Sequence, residues 1–251
     1  MGDSLYIFCS ERGIQMNKKY DLSNPPSYPD KDFSDYLKNA FINKEISKDE
    51  FYEARTIHLT RCYLAQDNPR GQSGHDGDEY SYMVRHLPII ECLNKSGTFC
   101  DVGCANGHLM EMTHKWAAAI GFDLQMFGVD ISEGLIELAQ RRLPEWRENF
   151  YVANRYFWKP EIKFDYIHLM EIGGSPEYDA RTCFEYYMEN YIADGGRMII
   201  GPCWFDRDNE SALYKSNVDL FASGITPDGY VEKTHYKYPN WITKAMWFDK
   251  K

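Results

Sequence analysis

The sequence has few of the features that would assign it quickly. No apolar run approaches the roughly 20 residues of a membrane-spanning helix. Positive charge is scarce: 28 Lys and Arg stand against 38 Asp and Glu, a net charge of -10. A phosphate backbone attracts proteins through clustered basic residues, so nucleic acid is disfavoured as a partner. Basic pairs such as Lys18-Lys19 and Arg141-Arg142 read as decoration of solvated faces. Seven cysteines are an odd number and contain no CxxC pair, which argues against a disulfide framework and for free thiols in cytoplasm. The first residues, "MGDSLYIFCSERG", have too short an apolar stretch for a secretory signal and an Asp where positive charge belongs.

The chain does have the length and composition of a globular protein. Its 251 residues are enough to bury a large core without staples. With 43% hydrophobic and 26% charged residues, neither disorder nor a fibrous class is indicated. Cys100, Cys104, His108 and His114 invite comparison with a zinc site, but a strand-to-turn-to-helix change across them points their side chains apart. No metal is expected.

Two patterns divide the chain. Up to residue 96 it reads as an arm and a helical cap. "SNPPSYPD" excludes helix through its prolines, and 31–65 recurs in apolar residues at helical spacing with a break near Asn43, predicting two helices. Residues 66–79 form a polar, glycine-rich loop, and the next segment resumes a helix that bends at Pro88. Residues 97–251 alternate short apolar strands (98–102, 126–130, 149–154, 164–170, 197–201) with amphipathic helices (108–119, 133–143, 180–191). Such alternation marks parallel βαβ units with helices on both faces. A helix over about 209–222 and two strands follow, predicting an antiparallel hairpin at the sheet edge.

The turn after the first strand, "DVGCANG" (101–107), carries the chemistry. It lacks the third-glycine spacing of GxGxxG, and His108 and Leu109 stand where a phosphate loop needs Lys and Ser or Thr. Instead the series "DVGCANG", "GVDIS", "ANRYF", "FDYIHLME" and "YIADGGRMIIG" resembles the class I S-adenosylmethionine-dependent methyltransferases, in order, over residues 97–250.

The resemblance implies an α/β, Rossmann-like, doubly wound fold. Its sheet would be seven-stranded and mostly parallel, closed by an antiparallel C-terminal hairpin and preceded by the helical cap. It also implies S-adenosyl-L-methionine as cofactor and S-adenosyl-L-homocysteine as product. With the acidic balance and the cap, the expected acceptor is a small molecule methylated on N or O, the alternatives being a noncatalytic S-adenosylmethionine-binding protein and, less favoured, a nucleic-acid or protein methyltransferase. Oligomeric state stays open. Gly103, Ala105 and Gly107 would leave room for methionine and ribose, with Cys104 inside the same turn. Asp101 would help bind the methionine ammonium, Asp130 both ribose hydroxyls, Ile131 the adenine face and Asn154 its edge. Leu169, closing the fourth strand, joins this cofactor set.

Other readings of these residues stand beside those roles. Asp101 fits a strand-end acid, Asp130 a cap for the helix from Ser132, and Asn154 a turn residue. On the acceptor side His75 is the candidate general base, with Asp76 beside it, because histidine titrates near neutrality. Glu171 is a candidate for binding an amine or an acceptor cation. His168, within the fourth strand, reads as buried packing.

Overall fold

The computed structural model describes residues 20–75, 77–172, 177–206, 224–234 and 240–251, and the chain divides into two compact units at 76/77. The expected helix over 209–222 lies outside the described residues, as do most of the N-terminal arm and Cys9.

In the first unit, α1 (Lys31–Ile42) and α2 (Lys48–Leu64) are the two expected helices, separated by a turn after Asn43. Asp30 caps α1 by accepting from the Phe33 amide at 3.1 Å. A reciprocal capping box starts α2: Ser47 Oγ accepts from the Glu50 amide at 3.2 Å, and Glu50 accepts from the Ser47 amide at 2.7 Å. The helices close on Phe33, Leu37, Phe51 and Ala54, with Tyr20 and Phe41 packed against them. The loop expected after α2 has local order: Gly71–Ser73 is a 3-10 turn.

The second unit starts with α3 (Glu79–His86) and α4 (Pro88–Glu91), so the predicted helix breaks at Leu87, one residue before the proline. Both helices divide with the sheet rather than with the preceding residues. The reason is packing: Tyr82, Ile89, Ile90, Cys92 and Leu93 belong to the same buried cluster as Phe99 and Tyr166. Polar ties add to it. The Tyr166 hydroxyl accepts from the Asn94 and Lys95 amides at 3.0 and 2.9 Å.

Seven strands form one sheet in the order β3-β2-β1-β4-β5-β7-β6. They are β1 (Gly97–Val102), β2 (Leu124–Asp130), β3 (Phe150–Val152), β4 (Phe164–Leu169), β5 (Ile192–Asp206), β6 (Gly229–Thr234) and β7 (Trp241–Asp249). Pairing is parallel from β3 to β5; β7 runs antiparallel to both β5 and β6. Helices α5 (His108–Ala119), α6 (Glu133–Arg142) and α7 (Ala180–Asn190) fill the connections.

β5 is much longer than the five residues expected, because β7 pairs with it through Asp206 and prolongs it. Arg197, the first residue of the expected strand, fixes that pairing. It binds both Asp249 carboxylate oxygens, at 2.6 and 3.1 Å, and donates to the Cys92 carbonyl at 2.6 Å. The six described cysteines are free and buried. No helix of the described residues is long and apolar enough to cross a membrane.

Candidate functional site

Parallel strands that reverse their winding direction leave a crevice at their carboxyl ends, where α/β sheets take ligands. β1 lies between β2 and β4 at that reversal. The 101–107 turn leaves β1 there and enters α5.

The turn is held on both sides. The Gly103 and Cys104 amides donate to the Val129 carbonyl of β2 at 2.7 and 3.1 Å, and the Gly107 amide closes the loop on the Cys104 carbonyl at 2.9 Å. Three of its residues take positive φ: Gly103 (91°), Ala105 (47°) and Gly107 (74°). The two glycines are needed for different reasons. A Cβ on Gly107 would lie 2.8 Å from Leu143 Cδ1, so this position is small for packing. A Cβ on Gly103 would meet nothing within 4 Å, so space lies open above its backbone. Cys104 is buried, and burial pushes its thiol well above the usual range, so it contributes volume rather than a thiolate.

Asp130 ends β2 facing this turn. Its Oδ2 accepts from the Ala105 amide at 2.9 Å and its Oδ1 from the Ser132 amide at 2.9 Å. The helix-cap alternative is not its role, since α6 is capped by Ser132 Oγ, which accepts from the Leu135 amide at 3.2 Å. Asp130 is half-buried; burial raises its carboxyl above the usual range, opposed by the two amide hydrogen bonds. Each oxygen uses one lone pair on the backbone, leaving acceptor capacity on both. Ile131, also half-buried, follows it directly.

Asp101, 3% exposed, belongs to the same electrostatic neighbourhood as Asp130. It stands opposite His168 in the β1–β4 register, and the two side chains meet: Nδ1 lies 2.7 Å from Asp101 Oδ1. On the other side of the ring, Nε2 lies 2.6 Å from the Gly201 carbonyl of β5. His168 is buried, as its place in a strand leads one to expect, but it does more than pack. It is a buried polar bridge across three strands. A carbonyl can only accept, so Nε2 carries a hydrogen, and one further proton closes the contact between Nδ1 and the carboxyl.

Three more observations complete the surroundings. Asn154 closes a turn after β3: its Oδ1 accepts from the Tyr156 amide at 3.1 Å, and its carbonyl from the Phe157 and Trp158 amides at 2.9 and 3.0 Å. The Ala153 amide ties that turn to the Asp130 carbonyl at 2.9 Å. Leu169 is fully buried, in register with Val102 and Ile200. Glu171, half-buried just past β4, acts on Arg155 after β3: burial works against the Arg155 cation, while Tyr187, Tyr156 and Glu171 hold its pKa above the arginine norm.

Arg142 was read as part of a solvated face, yet it fastens the turn from outside. One guanidinium nitrogen donates to the Asn106 carbonyl at 2.7 Å and the other to Glu111 Oε2 at 2.7 Å. No local pattern signals such a contact across 36 residues.

The structure thus brings Asp101, Gly103, Cys104, Ala105, Gly107 and Asp130 together around one turn, with Ile131 adjoining and Asn154 one hydrogen bond removed. His75 belongs to the first unit, where its amide donates to the Arg70 carbonyl at 3.2 Å and its side chain is buried. Asp76 lies outside the described residues.

A family model described as a methyltransferase domain matches residues 93–240, more than half of the chain. Among solved structures the chain is similar to the N-methyltransferase NodS of Bradyrhizobium japonicum WM9, crystallised with S-adenosyl-L-homocysteine, at 16% identity and a TM-score of 0.55. That likeness covers 78% of this chain and 97% of the other. It is also similar to geranyl diphosphate C-methyltransferase of Streptomyces coelicolor A3(2), at 14% identity, 78% and 98% coverage and a TM-score of 0.49. No curated protein matches the sequence.

Proposed function

The chain belongs to the methyltransferase-domain family, and on that premise we propose that it transfers a methyl group from S-adenosyl-L-methionine to a nitrogen or oxygen of a small-molecule acceptor. The observation that carries this reading is the open space over Gly103, where a Cβ would touch nothing within 4 Å, beside two carboxylates from neighbouring strand ends. A backbone stripped of side chain is what a ligand needs to lie against the turn.

The residues present fit the cofactor. Asp130 has acceptor capacity left on both oxygens for a vicinal diol, after its bonds to Ala105 and Ser132. Asp101 offers a buried anion to an ammonium group, the missing side chain of Gly103 leaves its backbone open to a ligand, and Ala105 and Gly107 shape the turn through their positive φ. Ile131 offers an apolar face next to Asp130. Asn154 has its oxygen engaged in the turn, so its amide nitrogen is the atom left for an adenine edge. Leu169 contributes through the backbone at the end of β4, since its side chain is in the core.

When bound, S-adenosyl-L-methionine supplies an electrophilic methyl group on a sulfonium. The protein's part is then to align a nucleophile, exclude water and, for a protonated acceptor, take a proton. Glu171 is assigned to hold an amine or cation, and His75 with Asp76 to acceptor chemistry. A small acceptor is supported by the acidic balance of the chain, which gives a polyanion little general attraction.

The test is incubation of the folded protein with S-adenosyl-L-methionine and fractionated metabolite extracts, scoring S-adenosyl-L-homocysteine and the methylated product by mass spectrometry. Product formation with a low-molecular-weight fraction is expected. Binding without turnover in any fraction would leave a cofactor-binding protein, and turnover on RNA or DNA alone would overturn the small-molecule assignment.

A further inference from the structure

The bridge through His168 has no part in the reading above, and its geometry is specific. Asp101 and His168 are register partners on adjacent parallel strands, so their side chains leave the same face of the sheet side by side. Both are essentially removed from solvent, at 3% and 0% exposure. A carboxyl so enclosed needs hydrogen bonds, and His168 is its one hydrogen-bonding side chain among the described residues. The imidazole is itself held at three points. Nε2 is tied to the Gly201 carbonyl, Nδ1 to Asp101, and the ring stacks on Phe99 at 6.2 Å with planes 16° apart. Its orientation is therefore set by β1 and β5 together, and it occupies one of the two carboxylate oxygens of Asp101.

We propose that His168 is a positioning residue for cofactor binding, holding Asp101 by Oδ1 so that Oδ2 is presented to the ammonium group of the bound amino-acid moiety. This rests on the assignment of Asp101 in the proposed function. The physical reason is that a carboxylate with a free χ2 spreads its charge over many orientations, whereas one pinned through a single oxygen offers the other at a fixed place. Gly201 takes part because its carbonyl anchors the far nitrogen. The short polar line from β5 through β4 to β1 thus ends at the glycine turn.

Two substitutions separate this role from simple packing. The side-chain amide of asparagine can take the place of Nδ1 and still reach Asp101, whereas glutamine reaches the place of Nε2 and the Gly201 carbonyl. The probes are S-adenosyl-L-homocysteine, which carries the ammonium, and 5′-methylthioadenosine, which lacks the whole amino-acid portion. By calorimetry, His168→Asn is expected to keep homocysteine-ligand affinity within about threefold. His168→Gln should lose about tenfold or more, the lower end of a hydrogen bond to a charged group. Affinity for 5′-methylthioadenosine should stay within about twofold in both variants. Parallel losses for the two ligands, an equal loss in Asn and Gln, or no loss in Gln would overturn the proposal.

Wild-type protein with 15N-labelled histidine gives a second measurement that does not depend on variants folding. The His168 ring nitrogens should shift when the homocysteine ligand is added and stay in place with 5′-methylthioadenosine. Equal shifts with the two ligands, or none with either bound, would overturn it. Failure of wild type to bind either ligand would instead sink the cofactor assignment itself, and the positioning role with it.

Discussion

Asp130 Oδ2 accepts a hydrogen bond from the Ala105 amide at 2.9 Å. The bond joins the acid that ends β2 to the one non-glycine residue of the turn that takes positive φ, at 47°. A left-handed alanine is costly for an L-residue, and the carboxylate supplies the interaction that keeps it there. The same side chain therefore shapes the turn and has lone pairs left for a diol.

Asp130→Ala is accordingly expected to weaken binding of S-adenosyl-L-homocysteine by about 1 to 3 kcal/mol, the scale of hydrogen bonds to a charged group. Calorimetry measures this directly. Thermal unfolding of the unliganded variant should also show a lower midpoint, because the Ala105 and Ser132 amides each lose an acceptor. An unchanged affinity would mean that Asp130 serves the turn alone.

Gly103→Ala separates conformational cost from occupied space. The new methyl would touch nothing in the unliganded protein, so the stability loss comes from φ of 91° alone, about 1 to 2 kcal/mol. Cofactor affinity should fall by at least about tenfold, since the methyl projects into the space assigned to the ligand. Chemical denaturation gives the first quantity and calorimetry the second. A stability loss with full affinity would move the ligand away from Gly103.

His86 makes stability depend on pH. Burial pushes its imidazole down to about 3, against a hydrogen bond to the Tyr82 carbonyl at 2.8 Å that works the other way. The unfolded chain therefore binds this proton near pH 6.5 while the folded chain does not, and stability rises with pH across that window. The contribution is complete above about pH 6.5 and is lost as pH falls toward 3, by about 1.4 kcal/mol per pH unit once the unfolded form is protonated. Urea titrations of wild type and His86→Gln between pH 7 and 5 should show the slope only in wild type.

The six described cysteines should react with a thiol reagent only on the timescale of unfolding. All six are buried; burial raises the Cys62 and Cys183 thiols to about 11 and Cys92 to about 12, and holds Cys100 and Cys104 well above the usual range. Labelling kinetics followed by peptide mass spectrometry check this site by site. Fast modification of Cys100 or Cys104 in native protein would mean that the turn opens.

The alternation of strands and helices after residue 97 and the runs "DVGCANG" and "GVDIS" were enough, without coordinates, to announce a parallel sheet and the acid at the end of each of its first two strands. These features are local: hydrophobic period, a glycine's dihedral freedom and a cap all act over a few residues. The break of the third helix at Leu87 came within one residue of the proline that causes it. What acts at long range was not written in any such pattern. His168 and Asp101 are 67 residues apart, and strand periodicity tells only that both face inward. That they are partners follows from the β1–β4 register, which is set by the whole sheet. Arg142 looked like surface charge because the Asn106 carbonyl it binds comes from another connection, and only hydrogen bonds show that Asn154 closes a turn and that Asp130 leaves the helix cap to Ser132. Sequence determined which residue types stand at the strand ends; the tertiary register decided which of them touch, because a hydrogen bond is made or missed within a few tenths of an ångström.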